Sequence, residues 1–135
     1  MASMKAKKGN PFEYDTAYSL QKGGYSAERI DDNSKGIDII ATSPRLFKYY
    51  IECKRHKAFG WNQLVAMFKK TEEIAKKNDP SACPLLVFKA NLQPTLVMYR
   101  ALDSYSVVPF DYYFPFEWNK REKGYKLWRE NNATI

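Results

Sequence analysis

Hydrophobic and polar residues follow two different rhythms along this chain. Between residues 61 and 77, Trp61, Leu64, Met67, Phe68, Thr71, Ile74 and Ala75 fall on one side at helical spacing, and Lys69, Lys70, Glu73, Lys76 and Lys77 fall on the other. That spacing predicts an amphipathic helix, stopped by Asn78-Asp79-Pro80. A second helix is expected over 12–22, where Asn10 can cap it, Pro11 fits its first turn and Gly23-Gly24 ends it. Segments 25–30, 37–42, 46–55, 85–89 and 95–100 carry β-branched and aromatic residues between turn formers, so they read as strands. The first three are expected to form an antiparallel meander. Asn91-Leu92-Gln93-Pro94 is short enough to join the last two as a hairpin.

The order helix, three strands, helix, two strands predicts an α/β fold with a central mixed sheet flanked by helices. Beyond Ala101 the pattern weakens. The aromatic stretch 105–118 contains Pro109 and Pro115, which argues against a long regular element, and the basic stretch 118–128 reads as a terminal helix. The chain divides into a basic arm over 1–10, a core over 11–104, and an aromatic and basic extension of the same domain over 105–135.

A chain of 135 residues with a 44% hydrophobic share can bury a core without metal or disulfide staples. Its net charge of +7 admits a polyanionic partner, although a charged soluble surface gives the same balance. Cys53 and Cys83 read as small buried residues in a reducing compartment. One histidine and two cysteines make a structural zinc site a poor fit. No apolar run approaches a membrane span, and the basic start leads into no signal-peptide core, so no membrane partner is expected.

Candidate chemistry begins in the segment 46–55. Strand alternation sends Tyr49, Ile51 and Cys53 one way and Tyr50, Glu52 and Lys54 the other. Glu52 and Lys54 can be a surface ion pair, or a metal ligand beside a group that handles water. Asp38 is an acid flanked by Ile37 and Ile39, and burying it requires a partner or a cation. Two carboxylates on adjacent strands repel, and a hard divalent cation such as Mg²⁺ or Mn²⁺ relieves that repulsion. On a helical wheel Glu13 falls between Leu20 and Ala17, on the apolar side. There it can look down on a site formed by the sheet, or simply favour the helix dipole from the first turn.

Gly36-Ile37-Asp38 followed by Ile51-Glu52-Cys53-Lys54 resembles the PD-(D/E)XK nuclease motif. The helix bearing Glu13 and the Gly-Tyr-X-Ala-X-Arg stretch from Gly24 to Arg29 resemble archaeal-type Holliday junction resolvases. The resemblance covers roughly residues 8–100 and implies a restriction-endonuclease-like fold. It implies that Asp38 and Glu52 bind Mg²⁺, with Mn²⁺ able to substitute, that the carbonyl of Cys53 is a backbone ligand, and that Glu13 completes the site. Lys54 corresponds to the lysine that positions or activates the attacking water. Arg29 and Ser34 correspond to groups near the scissile phosphate. Asp31-Asp32 and the short loop before Asp38 depart from the family's more basic, Gly-rich loop.

Arg55 and Lys57 after the catalytic strand, and Lys8 in the arm, are candidate phosphate contacts. Gln63 is either a supporting residue of the site or an ordinary boundary position. The resemblance implies an endonuclease acting on branched double-stranded DNA in DNA recombination and repair. A four-way junction has two equivalent strands to cut, so it also implies a homodimer. The implied setting is cytoplasmic, in a cell or in a host taken over by a virus or phage. Two other readings stand beside it: a nicking or repair nuclease of the same fold acting on other DNA, and a basic nucleic-acid-binding module without catalysis.

Overall fold

The computed structural model describes residues 11–30 and 36–114. Ser34, Lys8, the basic arm and the segment 118–128 lie outside the described residues. Helix α1 spans Pro11–Lys22, and Gly24, at φ +94°, turns the chain out of it. Strands β1 (Ser26–Arg29), β2 (Ile39–Thr42) and β3 (Lys48–His56) follow, then helix α2 (Trp61–Asn78). Strands β4 (Cys83–Ala90), β5 (Leu96–Ala101) and β6 (Ser104–Pro109) complete the sheet, and a short helix α3 (Phe110–Tyr113) ends the described chain.

The six strands lie in sequence order across one sheet. All neighbouring pairs are antiparallel except β3 and β4, which run parallel with Glu52 opposite Leu86 and His56 opposite Ala90. A parallel pair needs a crossover, and the amphipathic α2 supplies it. The expected mixed α/β architecture and meander are therefore present.

Alternation along the strands divides the core between two faces. Ile51, Cys53, Leu85, Val87 and Val97 point toward α1, where they meet Phe12, Ala17 and Leu20. Leu86, Phe88 and Met98 point toward α2 and meet Leu64 and Phe68. Both helices are thus fixed by apolar stripes of the kind the sequence shows. Removing a ring as fully enclosed as Phe68 costs about 3–5 kcal/mol.

Two expectations are corrected. β6 was not foreseen: residues 104–109 pair along the whole of β5, from Ala101↔Ser104 to Leu96↔Pro109. Proline is tolerated there because β6 is an edge strand and Pro109 is its last residue. Phe110 and Phe114 then fold back into the core, Phe114 edge-on to Tyr25, Tyr49 and Tyr113 and Phe110 tilted against Phe114. Cys83 is exposed, because it opens β4 before the strand enters the interior, whereas Cys53 is buried; both are free thiols.

Three hairpin-turn leucines, Leu46, Leu92 and Leu102, have positive φ and are exposed. The left-handed region costs a residue with a Cβ roughly 1–2 kcal/mol.

Candidate active site

Asp38 stands one residue before β2, at the point where the chain enters the sheet. Its own N–H donates to the carbonyl of Ile51 (3.1 Å), and its carbonyl accepts from Ile30 (2.8 Å). Gly36 makes that entry possible. It sits at φ +67°, and a Cβ there would lie 2.7 Å from Ile74 Cδ1 of α2. The bare glycine lets the backbone at residue 36 lie close against Ile74 of α2, two residues before Asp38.

Asp38 Oδ2 accepts a hydrogen bond from the backbone N–H of Cys53 at 2.7 Å. Glu52 and Lys54 flank that residue on the α2 face, with Lys54 Nζ 3.2 Å from Glu52 Oε2. Glu13 comes from α1. It is 6% exposed, and its Oε1 lies 3.3 Å from Arg29 Nη2. The Arg29 guanidinium rests 3.9 Å from the centre of the Tyr14 ring, a cation–π contact beside the carboxylate.

These groups converge. Glu13, Asp38, Glu52, Cys53, Lys54 and Arg55 line one cleft of about 500 Å³. Asp38, Glu52 and Lys54 also line a second cleft of about 350 Å³, walled by Gly36, Met67, Lys70, Thr71 and Ile74. The three central side chains thus form the shared edge of two hollows, one opening toward α1 and one toward α2.

The electrostatics are those of crowded acids. Burial pushes the Glu13 carboxyl up to about 7; a hydrogen bond with Asp38 and the charge of Asp38 add to the rise, and Arg29 opposes it. Burial also raises Glu52, with the charge of Asp38 next, against the pull of Lys54. The Cys53 thiol is pushed well above its usual range, by burial first and then by the charges of Asp38 and Glu13. A protonated thiol is a poor donor to a hard cation, which leaves the Cys53 carbonyl as its suited donor.

Among the described residues, no three His, Cys, Asp or Glu side chains form a closed metal-binding set. The donors present nevertheless fit a hard divalent cation. Mg²⁺ keeps several waters and is usually held by one or two carboxylates plus substrate phosphates, not by an all-protein cage. Asp38 and Glu52 are such a pair, raised in energy by mutual repulsion that a cation would relieve.

The remaining candidates divide. Arg55 and His56 line the larger cleft. Lys57 is exposed just beyond β3 and is not part of either wall. Gln63 is exposed in the first turn of α2, and its Oε1 accepts from the backbone N–H of Gly60 at 3.3 Å. It caps its own helix and reaches neither hollow. Lys70, on the polar side of α2, lines the smaller cleft. Its spacing, three residues after Met67 and four before Ile74, was the available signal.

A six-stranded mixed sheet with helices on both faces, carrying Asp38 and Glu-X-Lys at the centre, defines a restriction-endonuclease-like nuclease. The model of the restriction endonuclease family Mrr_cat matches residues 4–76, just over half of the chain. The chain belongs to that family, whose members are in general metal-dependent nucleases. It is also similar to a solved structure, Hjc of Archaeoglobus fulgidus, described as a Holliday junction resolvase from an archaeal hyperthermophile. The identity is 20% and the TM-score 0.49, over 81% of this chain and 88% of the other. A search of curated proteins returns no match. No helix among the described residues is long and apolar enough to cross a membrane.

Proposed function

We propose that this protein is a Mg²⁺-dependent, structure-selective endonuclease that cleaves phosphodiester bonds in branched double-stranded DNA, with Holliday junctions as its substrate. The observation that carries the reading is the convergence of Glu13, Asp38, Glu52 and Lys54 on one cleft, with the Cys53 peptide braced by Asp38. Choice of a junction over other DNA rests on the stretch from Gly24 to Arg29 and its link to the Glu13 helix. Mn²⁺ substitutes for Mg²⁺. The protein works as a homodimer, one subunit for each of the two equivalent strands. Its two free thiols suit the reducing cytoplasm.

Asp38 and Glu52 would hold the cation, with the Cys53 carbonyl as a backbone donor and Glu13 completing the set. When bound, the cation lowers the pKa of its water and offsets charge growing on the phosphate. The other steps belong to the chain. Lys54, held by Glu52, orients the water whose oxygen attacks phosphorus. A bond forms between that oxygen and phosphorus, one P–O ester bond breaks, and the proton given up by the water balances the one taken by the leaving oxygen. Arg29 pulls the Glu13 carboxyl toward its charged form, in opposition to burial, and offers positive charge beside the scissile phosphate. Arg55 and Lys57 contact neighbouring phosphates, which position DNA without reading sequence.

The test compares a labelled four-way junction with a linear duplex of the same sequences in Mg²⁺. The reading expects paired cuts near the branch and little cutting of the duplex. Equal cutting of both would leave a nuclease of other substrate, and no cutting of either would remove the enzymatic reading.

A further inference from the structure

The larger cleft does not end at the catalytic groups. Phe12, Asp15 and Arg55 also line an adjoining hollow of about 300 Å³ that continues to Lys89, Pro94 and Thr95. The two hollows share those three residues, and the second one reaches the base of the β4–β5 turn. Asp15 and Asp111 line that hollow together with Arg55 and Lys89, so its lining is charge-balanced. What distinguishes its far end is the residue at the tip of the turn.

Leu92 is 96% exposed. It sits at φ +61° in a turn closed by the Gln93 N–H donating to the Ala90 carbonyl. Turns favour glycine or asparagine at such a position, so this leucine costs stability and hides no apolar surface. The turn is nonetheless held firmly. The Asn91 N–H donates to the Lys57 carbonyl at 3.3 Å, and Lys89 Nζ donates to the Gln93 carbonyl at 2.7 Å. Lys57, whose carbonyl holds Asn91, lies beside the base of the turn and outside the charge-balanced hollow, where its positive charge suits a DNA backbone.

Position completes the case. His56 pairs with Ala90, four residues beyond Glu52 along β3. At about 3.3 Å per residue the turn begins roughly 13 Å from Glu52, about four base steps along a duplex seated at the site. Leu46 and Leu102 share the exposed, left-handed geometry, but the parallel run of β3 and β4 places their turns at the opposite end of the sheet.

The geometry points to Leu92 as an apolar wedge that enters the base stack of bound DNA where the branch or bend leaves a step open. This inference rests on the endonuclease reading above. Unstacked bases at a branch offer an apolar surface at low cost, whereas in uniform duplex the same insertion must first break stacking. The wedge would therefore add selectivity for distorted DNA.

The experiment uses the full chain, a four-way junction carrying 2-aminopurine beside the branch, and Ca²⁺ in place of Mg²⁺ to hold the uncut complex. Wild type should raise the fluorescence on binding. Leu92→Gly should abolish that rise and weaken junction affinity about tenfold, while leaving linear-duplex affinity unchanged. Its melting temperature should stay equal or rise, because glycine suits the backbone. Leu92→Met should keep the signal, and Leu102→Gly at the far end should behave as wild type. Full signal and affinity in Leu92→Gly, or no rise with wild type, overturns the wedge while junction cleavage in Mg²⁺ still upholds the nuclease. Wild type that neither binds nor cuts DNA overturns both.

Discussion

The Cys53 N–H donates to Asp38 Oδ2 at 2.7 Å, so the acid that begins β2 is tied to the backbone between Glu52 and Lys54. One hydrogen bond thus sets the spacing of the site. It orients the Cys53 peptide and holds a second carboxylate near Glu52 despite their repulsion.

Asp38→Asn separates these roles. Asparagine can still accept from Cys53 but carries no charge, and Asp38 is a cause of the raised pKa at both Glu13 and Glu52. The metal-free variant should be more stable than wild type at neutral pH, by about 1 kcal/mol. Calorimetric titration with Mn²⁺ should show the binding site lost. Lower stability together with retained Mn²⁺ binding would show that the acid is structural.

The pH dependence of stability has a defined sign. Glu13 titrates near 7 in the folded chain against an ordinary 4.5, and Glu52 is shifted the same way. Between those values the folded state binds more protons than the unfolded one, so stability falls as pH rises from about 4.5 to about 7. Thermal melts of metal-free protein should show a declining midpoint across that window. Saturating Mg²⁺ should flatten the decline, because it favours the ionised acids.

Gly36→Ala should be costly beyond its size. The new Cβ meets Ile74 Cδ1 at 2.7 Å in a left-handed backbone. Denaturant unfolding should show a loss of about 1–3 kcal/mol. DNA cleavage under conditions where the variant is fully folded should fall as well, because Gly36 lies two residues before Asp38.

Gln63 offers a contrast. Its side chain accepts from the Gly60 N–H at the start of α2 and lies outside both hollows. Gln63→Ala should lower stability by about 0.5–1 kcal/mol and leave the cleavage rate of a four-way junction unchanged. A tenfold fall in rate without further destabilisation would return Gln63 to the site.

Much of this arrangement could be read from the chain because burial imposes strict periods. The two helices appear as apolar stripes, and alternation on β3 separates Glu52 and Lys54 from Ile51 and Cys53. Glu13 is visible because an acid on the apolar side of a helix needs a reason. β6 was missed because Pro109 and the aromatics around it argue against regular structure, and an edge strand escapes that rule by leaving one row of backbone groups unpaired. Lys70 falls on the polar side of α2, where a residue flanking the apolar stripe can face water or a cleft, and only the packing of α2 on the sheet decides. Gly36 stands out in the sequence only as the start of the Gly36-Ile37-Asp38 motif; its tight approach to Ile74 is a long-range contact with no local trace.

The most direct test is Mg²⁺-dependent cleavage of a labelled four-way junction by wild type and by Glu52→Gln, with folding of both checked by circular dichroism. The account predicts cutting by wild type only when a divalent cation is present, and a loss of about 100-fold or more in the variant. Cleavage by wild type in excess chelator, or undiminished cleavage by Glu52→Gln, would contradict it.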